Sequence, residues 1–150
     1  MMWKPLFFTV VNVIPVSCRI LQANIYTKNK GVKRLSTLPL IITSEELDHW
    51  LQRSEEGEVL FCKHSTACPI SAAAFDELQS FLQTEQKKRV DVAMVHVIEN
   101  RDISNRITEH YNIKHESPQV LLIQKGKVLW HTSHWDITQD TLYQAVHNTL

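Results

Sequence analysis

The sequence predicts an α/β fold in which a central mixed sheet is flanked by helices. Short apolar runs typical of buried strands alternate with amphipathic segments of helical period, and the last two strand-like runs are separated by only two residues. The 150 residues, 43% hydrophobic and 21% charged, suffice for one domain with a sizeable core.

The regular pattern begins near Thr43. TSEELDHWLQRSEEG offers a capping residue at Thr43 or Ser44 and acidic side chains in its first turn, and Gly57 follows, so a short amphipathic helix is predicted. EVLFCKH comes next and predicts a buried strand because it is a compact apolar run. An earlier strand is predicted in VKRLSTLPLI, although Pro39 is unfavourable within a strand.

A long helix is predicted in PISAAAFDELQSFLQTEQKK, from Pro69 to Lys88, because proline favours the first helical turn and one stripe of the segment is apolar. The stripe consists of Ala74, Leu78, Phe81 and Leu82. VDVAMVHVIE alternates and is rich in valine, which predicts a second strand. DISNRITEHYNI predicts a helix, since its apolar side chains recur at every fourth residue: Ile103, Ile107 and Tyr111.

The last third of the chain predicts a hairpin and a helix. SPQVLLIQKGKVLWHTS divides into two antiparallel strands joined by a tight turn at Lys125-Gly126. DITQDTLYQAVHNTL predicts a closing helix, capped at Asp136 or Thr138, with an apolar face of Leu142, Ala145 and Val146. The predicted order is α, β, α, β, α, β, β, α. Strands that alternate with helices favour parallel pairing, to which the final hairpin adds an antiparallel edge.

Composition argues against several classes of function. The 16 basic and 16 acidic residues cancel, so the cationic footprint of a nucleic-acid-binding protein is absent. With only three glycines the chain has no Gly-rich phosphate loop. Its three cysteines lack CxxC or paired metal spacing, which favours a reducing cytoplasm and disfavours a zinc site. His131 and His134, placed on one strand, would point to opposite faces and chelate poorly.

Residues 1–34 are predicted to be an extension that precedes a domain of residues 35–150. The run from Met1 to Cys18 is too short and too interrupted to span a bilayer. Three interpretations stay open: a disordered extension, a weak signal peptide, and a wrongly assigned start with translation beginning at Val32, Leu35 or Leu38. A lipidated Cys18 would make the chain an exported redox lipoprotein.

Cys68 stands between the strand predicted in EVLFCKH and the long helix, and Pro69 follows it at once. Unpaired N–H groups and the positive end of the helix dipole stabilise a thiolate there, and the thiolate is the attacking form of cysteine. Cys68 is therefore predicted to be a nucleophile, whereas Cys62, inside an apolar run, is predicted to be a small buried side chain. Lys63 and His64 would add positive potential if they face the sulfur.

STACPIS and the later SPQVLLIQKGKVLW resemble the thioredoxin superfamily, and FCKHSTACPISAAAFDEL resembles more closely the YtxJ-type monothiol bacilliredoxins. The resemblance covers roughly Thr43 to Leu150. It implies a thioredoxin-like three-layer fold, with Cys68 as the catalytic cysteine. It further implies a cis peptide bond before Pro118, which packs beside the active sulfur; X–Pro bonds tolerate the cis form.

Ser71 occupies the position, three residues after Cys68, where a dithiol redox protein carries its second cysteine. A hydroxyl cannot form a disulfide, so a mixed disulfide on Cys68 must wait for a thiol from solution. Ser71 either hydrogen-bonds the thiolate or is simply tolerated in the first turn. Cys62 is the rival internal thiol, although its place in a strand six residues upstream disfavours disulfide geometry with Cys68.

The resemblance implies that the small thiol is bacillithiol, used as a co-substrate with no bound cofactor or metal. The chain would then remove bacillithiol from S-bacillithiolated client proteins in the cytoplasm, and a nicotinamide-dependent disulfide reductase would regenerate the thiol. The alternative is a non-catalytic, thiol-bearing redox sensor or interaction module of the same fold.

The groove for bacillithiol or a client segment is expected beside Cys68. Its expected lining is Ser65, Thr66, Ala67, Ser117 and Pro118. Capping is the ordinary alternative for Ser65 and Thr66. Trp130 and Trp135, around the end of the hairpin, are expected to cover the core rather than to form a recognition surface.

Overall fold

The computed structural model describes residues 38–84 and 90–148. Its helices are α1 (Ser44–Glu56), α2 (Pro69–Gln83), α3 (Arg101–Tyr111) and α4 (Gln139–Asn148). Its strands are β1 (Val59–His64), β2 (Asp91–His96), β3 (Gln119–Gln124) and β4 (Lys127–Ser133). The predicted order of helices and strands is confirmed, with one addition: a short 3₁₀ helix, His134–Asp136, precedes α4.

The strands form one mixed sheet in the order β2-β1-β3-β4. β1 and β2 are parallel, as predicted, whereas β3 is antiparallel to both of its neighbours, β1 and β4. The prediction that β3 would continue the parallel pairing was therefore wrong. The connection from Tyr111 to Gln119 carries the chain back to the edge at which β1 and β2 end, so β3 starts at that edge and runs in the opposite direction.

Helices cover both faces of the sheet, which gives three layers. One core cluster joins β1 to α2 and α4 and includes Cys62 and Leu78; the other joins β1 to α1 and α3 and includes Phe61 and Ile107. Phe61 and Cys62 belong to different clusters because successive side chains of a strand point to opposite faces. The strand predicted in VDVAMVHVIE is confirmed as β2, and four of its consecutive residues, 92–95, are buried because helices cover both faces of the sheet.

Local signals set several element boundaries as predicted. Thr43 caps α1: its hydroxyl accepts a hydrogen bond from the Glu46 N–H at 3.2 Å, while the Glu46 carboxylate accepts one from the Thr43 N–H. The hairpin turn places Lys125 at φ 51° and Gly126 at φ 66°, the left-handed pair of a tight antiparallel connection. Thr138 precedes α4, and its hydroxyl accepts from the Thr141 N–H at 3.2 Å.

Other boundaries differ from the prediction. α2 ends at Gln83 rather than Lys88, because Thr84 has extended backbone angles and its N–H and hydroxyl both donate to the carbonyl of Phe81. The early strand is reduced to a single parallel bridge between Leu40 and Met94. The rest of its predicted span, the domain division at residue 34 and every interpretation of the extension lie outside the described residues.

The segment between β4 and α4 was not predicted to be helical. Its first residue, His134, is not on a strand, so the predicted placement of His131 and His134 on opposite faces of one strand was wrong. His134 has φ 56°, and its N–H donates to the carbonyl of Pro118 at 3.0 Å. Within residues 38–84 and 90–148, none of the helices combines the length and apolar character that crossing a bilayer requires.

Candidate active site

Three chain segments meet at the edge of the sheet where β1 ends. Because β3 is antiparallel to β1, it begins at this edge immediately after Pro118, and β4 ends there at Ser133. The loop after β1 leads to Cys68 and α2 at the same edge. The peptide bond between Ser117 and Pro118 is cis, as the resemblance implied. Ser71 and Pro118 line one small cavity, which places the start of α2 beside the cis proline.

Cys68 is the N-cap residue of α2 and is partly exposed. Its carbonyl accepts the N–H of Ala72 at 3.1 Å, and Pro69 occupies the start of the helix. The N–H of Ser71 makes the largest contribution to lowering the pKa of the Cys68 thiol, and the N–H of Ile70 and the Ser71 hydroxyl lower it further. A partial loss of hydration acts in the opposite direction and raises the pKa. These donors favour the thiolate.

Ser71 is fully buried and connects the start of α2, next to Cys68, to the loop before it. Its Oγ accepts a hydrogen bond from the N–H of Ser65 at 3.2 Å, and its hydroxyl contributes to the lowered pKa of the Cys68 thiol. The direction of this pKa shift agrees with the interpretation of Ser71 as a hydrogen-bond donor to the thiolate, which stays a prediction.

The loop of residues 65–67, which leads to Cys68, is held by contacts that the sequence did not indicate. The Thr66 hydroxyl donates to Oε1 of Glu99 at 2.7 Å, and this bond is the main cause of the lowered pKa of the Glu99 carboxyl. The N–H of Cys68 donates to the carbonyl of Ser65 at 3.4 Å, while Ala67 is exposed. Neither Ser65 nor Thr66 caps α2, since Cys68 itself stands at that position.

Cys62 has the opposite environment. Its side chain is buried on the α2 face of the sheet, and burial raises the pKa of its thiol to about 12. It lines a cavity of about 20 Å³ together with Ser71 and Pro118, whereas Cys68 is not part of that lining. The Cys62 thiol therefore remains protonated near neutral pH and is a poor nucleophile.

Lys63 does not face Cys68. Its side chain crosses to the α3 face of the sheet, where Nζ donates to Oγ1 of Thr108 at 2.6 Å and lies 3.5 Å from Nδ1 of His115. Loss of hydration lowers the pKa of this lysine to about 8.

His64 lies on the α2 face, with its ring 5.5 Å from that of Phe75 and 5.6 Å from that of His96. Burial, and then repulsion from His96, lowers the pKa of His64, so this side chain adds little positive charge near neutral pH.

The segment that leads to the cis proline carries polar groups on the same edge. Ser117 Oγ is buried and has no hydrogen-bond partner among the described residues. The hydroxyl of Ser133 holds the pKa of the Glu116 carboxyl below its ordinary range, and the nearby positive potential of Lys114 and His134 contributes. No sequence motif marks Glu116 or His134, because the pairing of β3 with β4 brings them together.

Comparisons with known proteins agree with this arrangement. A family model described as the monothiol bacilliredoxin BrxC matches residues 40–142. A solved structure, described as a candidate oxidoreductase with a thioredoxin fold, is 31% identical, with a TM-score of 0.63 and coverage of 72% of this chain and 92% of that chain.

Two thioredoxins are similar in fold at 13% identity. The thioredoxin of Malassezia sympodialis has a TM-score of 0.63, with 82% of this chain and 98% of that chain covered. Mitochondrial thioredoxin 3 of Saccharomyces cerevisiae has a TM-score of 0.58, with 74% and 94% covered. At this identity the two structures establish the thioredoxin fold alone.

Proposed function

The chain belongs to the monothiol bacilliredoxin family, and on that premise we propose that it removes bacillithiol from S-bacillithiolated proteins in the cytoplasm. Family and fold support thiol redox chemistry as the general activity. One observation carries the proposal: Cys68 is partly exposed at the N-cap of α2, where the N–H groups of Ser71 and Ile70 lower the pKa of its thiol, whereas the other cysteine of the described residues, Cys62, is buried.

In the first step the Cys68 thiolate attacks the bacillithiol sulfur of the mixed disulfide on the client. A new S–S bond forms between Cys68 and bacillithiol, and the old S–S bond breaks. The electron pair leaves with the client cysteine, which takes a proton from solvent. The Ser71 hydroxyl and the N–H groups of Ile70 and Ser71 stabilise the attacking thiolate.

In the second step another bacillithiol thiolate attacks the bacillithiol sulfur held on Cys68. Bacillithiol disulfide is released, and the Cys68 thiolate leaves into the same set of donors that stabilised it before. Because Ser71 carries no sulfur, the capture and release of bacillithiol remain separate events. A nicotinamide-dependent reductase would return the disulfide to the thiol, and no bound metal or flavin takes part in either step.

The remaining predicted residues support these steps. Pro69 starts α2 with a fixed backbone angle, which holds the donors of the first turn in place. In the proposed complex, Pro118 and Ser117 would form one wall of the groove and the loop of residues 65–67 the other. The contacts of Ser65 with Ser71, and of Thr66 with Glu99, hold that loop in position for an incoming disulfide.

Intact-mass measurement after exposure to bacillithiol disulfide tests the nucleophile. We expect one bacillithiol adduct on the parent protein, no adduct on Cys68→Ser within the described domain, and an undiminished adduct on Cys62→Ser. Loss of the adduct in Cys62→Ser, with its retention in Cys68→Ser, would reverse the assignment.

A turnover measurement separates the enzyme from a non-catalytic sensor. A small amount of the chain is mixed with an excess of a bacillithiolated client and free bacillithiol, and released client thiols are counted. An enzyme releases many client thiols per chain, whereas a sensor releases no more than its own Cys68 can accept. A count that stops at one per chain would contradict the proposed catalysis.

A further inference from the structure

We propose that the indole of Trp135 is a platform for the sugar ring of bacillithiol while Cys68 holds that thiol as a mixed disulfide. The inference rests on the proposed function, because it assigns the residue that recognises the small thiol removed there.

Trp135 is 69% exposed, the highest exposure among the large hydrophobic residues that the structure describes as exposed. The expectation that it would cover the core was wrong, whereas Trp130, on β4, does pack against a core cluster. A single exposed apolar residue is ordinary on a protein surface, so a functional interpretation of Trp135 has to rest on where it lies.

The backbone of Trp135 lies at the same edge of the sheet as Cys68. Trp135 lies in the 3₁₀ helix that starts where β4 ends, and this helix packs against α2, the helix that Cys68 caps. Its neighbour His134 donates its N–H to the carbonyl of the cis proline at 3.0 Å. Ile137, two residues later, lines the same cavity as Ser71 and Pro118.

The turn that presents the indole is held from both sides. His134 adopts φ 56°, a conformation that non-glycine residues rarely occupy unless their surroundings impose it. Nδ1 of His134 lies 3.0 Å from the hydroxyl oxygen of Ser133, and the carbonyl of Asp136 accepts the Thr141 hydroxyl at 2.8 Å. The backbone that carries the exposed ring is therefore held in place before a ligand arrives, which reduces the entropy lost on binding.

Bacillithiol is a cysteinyl glucosamine joined to malate, so a pyranose ring lies within a few bonds of its sulfur. One face of a pyranose is lined with C–H groups, and such a face packs on an aromatic ring. The polar rim of the sugar and the adjoining amine need hydrogen-bonding partners. Glu116, Ser133 and His134 offer a carboxylate, a hydroxyl and an imidazole next to Trp135.

The test compares two caps on one client cysteine: bacillithiol, and free cysteine, which lacks the sugar and the malate. We expect Trp135→Ala to lower kcat/KM for the bacillithiol-capped client about tenfold, as loss of a ring contact predicts, and to change it less than about twofold for the cysteine-capped client. Trp135→Phe should recover most of the loss. Tyr143→Ala, which removes an exposed aromatic ring from α4, is the matched control and should leave both rates unchanged.

An equal loss for both caps would mean that Trp135 contacts the client polypeptide, and it would overturn the proposal. No loss for either cap, or a Trp135→Phe variant as slow as Trp135→Ala, would overturn it as well. A parent protein that leaves the bacillithiol cap in place would refute the proposed function, and the platform with it. An active parent whose cap preference survives Trp135→Ala refutes the platform alone.

Discussion

Ser71 supplies polar groups that stabilise a thiolate, but unlike a second cysteine it has no sulfur that could displace a captured thiol. Its N–H and its hydroxyl both lower the pKa of the Cys68 thiol, and its oxygen also accepts the N–H of Ser65. One buried side chain thus organises the loop and stabilises the anion. The serine is more than an inert replacement for a second cysteine.

We expect Ser71→Ala to raise the pKa of the Cys68 thiol, because the hydroxyl that now lowers it is lost. The N–H groups of Ser71 and Ile70 remain, so part of the stabilisation survives. At a pH below the pKa, a smaller fraction of Cys68 is then ionised, so its alkylation should slow by roughly two- to fivefold.

The pH dependence of the iodoacetamide reaction measures this change. Ser80→Ala is the control, since the Ser80 hydroxyl, on an exposed part of α2, donates only to the carbonyl of Asp76 in the described contacts. An unchanged or lower pKa in Ser71→Ala would show that the hydroxyl does not act on the thiolate.

At the scale of single elements, the spacing along α2 decides whether the site acts with one thiol or two. Residues three apart lie on the same side of a helix, and Ser71 acts on the pKa of the Cys68 thiol from that position. Near the helix start the chain therefore holds the geometry of a dithiol site with a hydroxyl in place of one sulfur.

Ser71→Cys should convert the site to a dithiol one. After Cys68 captures bacillithiol, the thiolate introduced by the substitution attacks the Cys68 sulfur, and the bacillithiol leaves as a thiol. Mass spectrometry after exposure to bacillithiol disulfide should show a mass lower by two hydrogen atoms and no retained adduct, against the stable adduct of the parent. A persistent adduct on the variant would mean that the two positions cannot meet disulfide geometry.

At the scale of the whole molecule, Lys63 places a charge between the sheet and the α3 layer. The side chain is 2% exposed, and its described hydrogen bonds go to neutral groups, Thr108 and His115. Burial lowers its pKa from 10.5 to about 8, so folding disfavours the charged form. The resulting cost to stability is fully present below pH 8 and disappears as the pH rises through 10.5.

We expect Lys63→Met to raise the free energy of unfolding at pH 7 by about 1–2 kcal/mol, because an apolar side chain of similar length replaces a buried charge. The gain should shrink as the pH approaches 10. Urea unfolding at both values measures it, with Lys127→Met on the exposed surface of β4 as the control for removing a positive charge. A destabilised variant at pH 7 would show that the hydrogen bonds of Lys63 outweigh its desolvation.

The sequence by itself determined the order of helices and strands, the capping box of α1, the hairpin turn and the placement of Cys68 at the start of α2. These features depend on neighbours within a few residues, so side-chain period, capping residues and turn residues are sufficient to predict them. The spacing of Cys68 and Ser71 belongs to the same class. The cis peptide bond before Pro118 was predicted from the family resemblance and not from the local sequence pattern.

The tertiary structure decided the direction of β3, the face to which Lys63 turns, and the exposure of Trp135 beside Pro118. Buried strands have the same apolar pattern whether they pair in parallel or antiparallel, so the sequence of β3 does not reveal its direction. The positions of Glu116, His134 and Trp135 at the Cys68 edge follow from that direction. They depend on strand pairing between residues far apart in the chain, which no local pattern encodes.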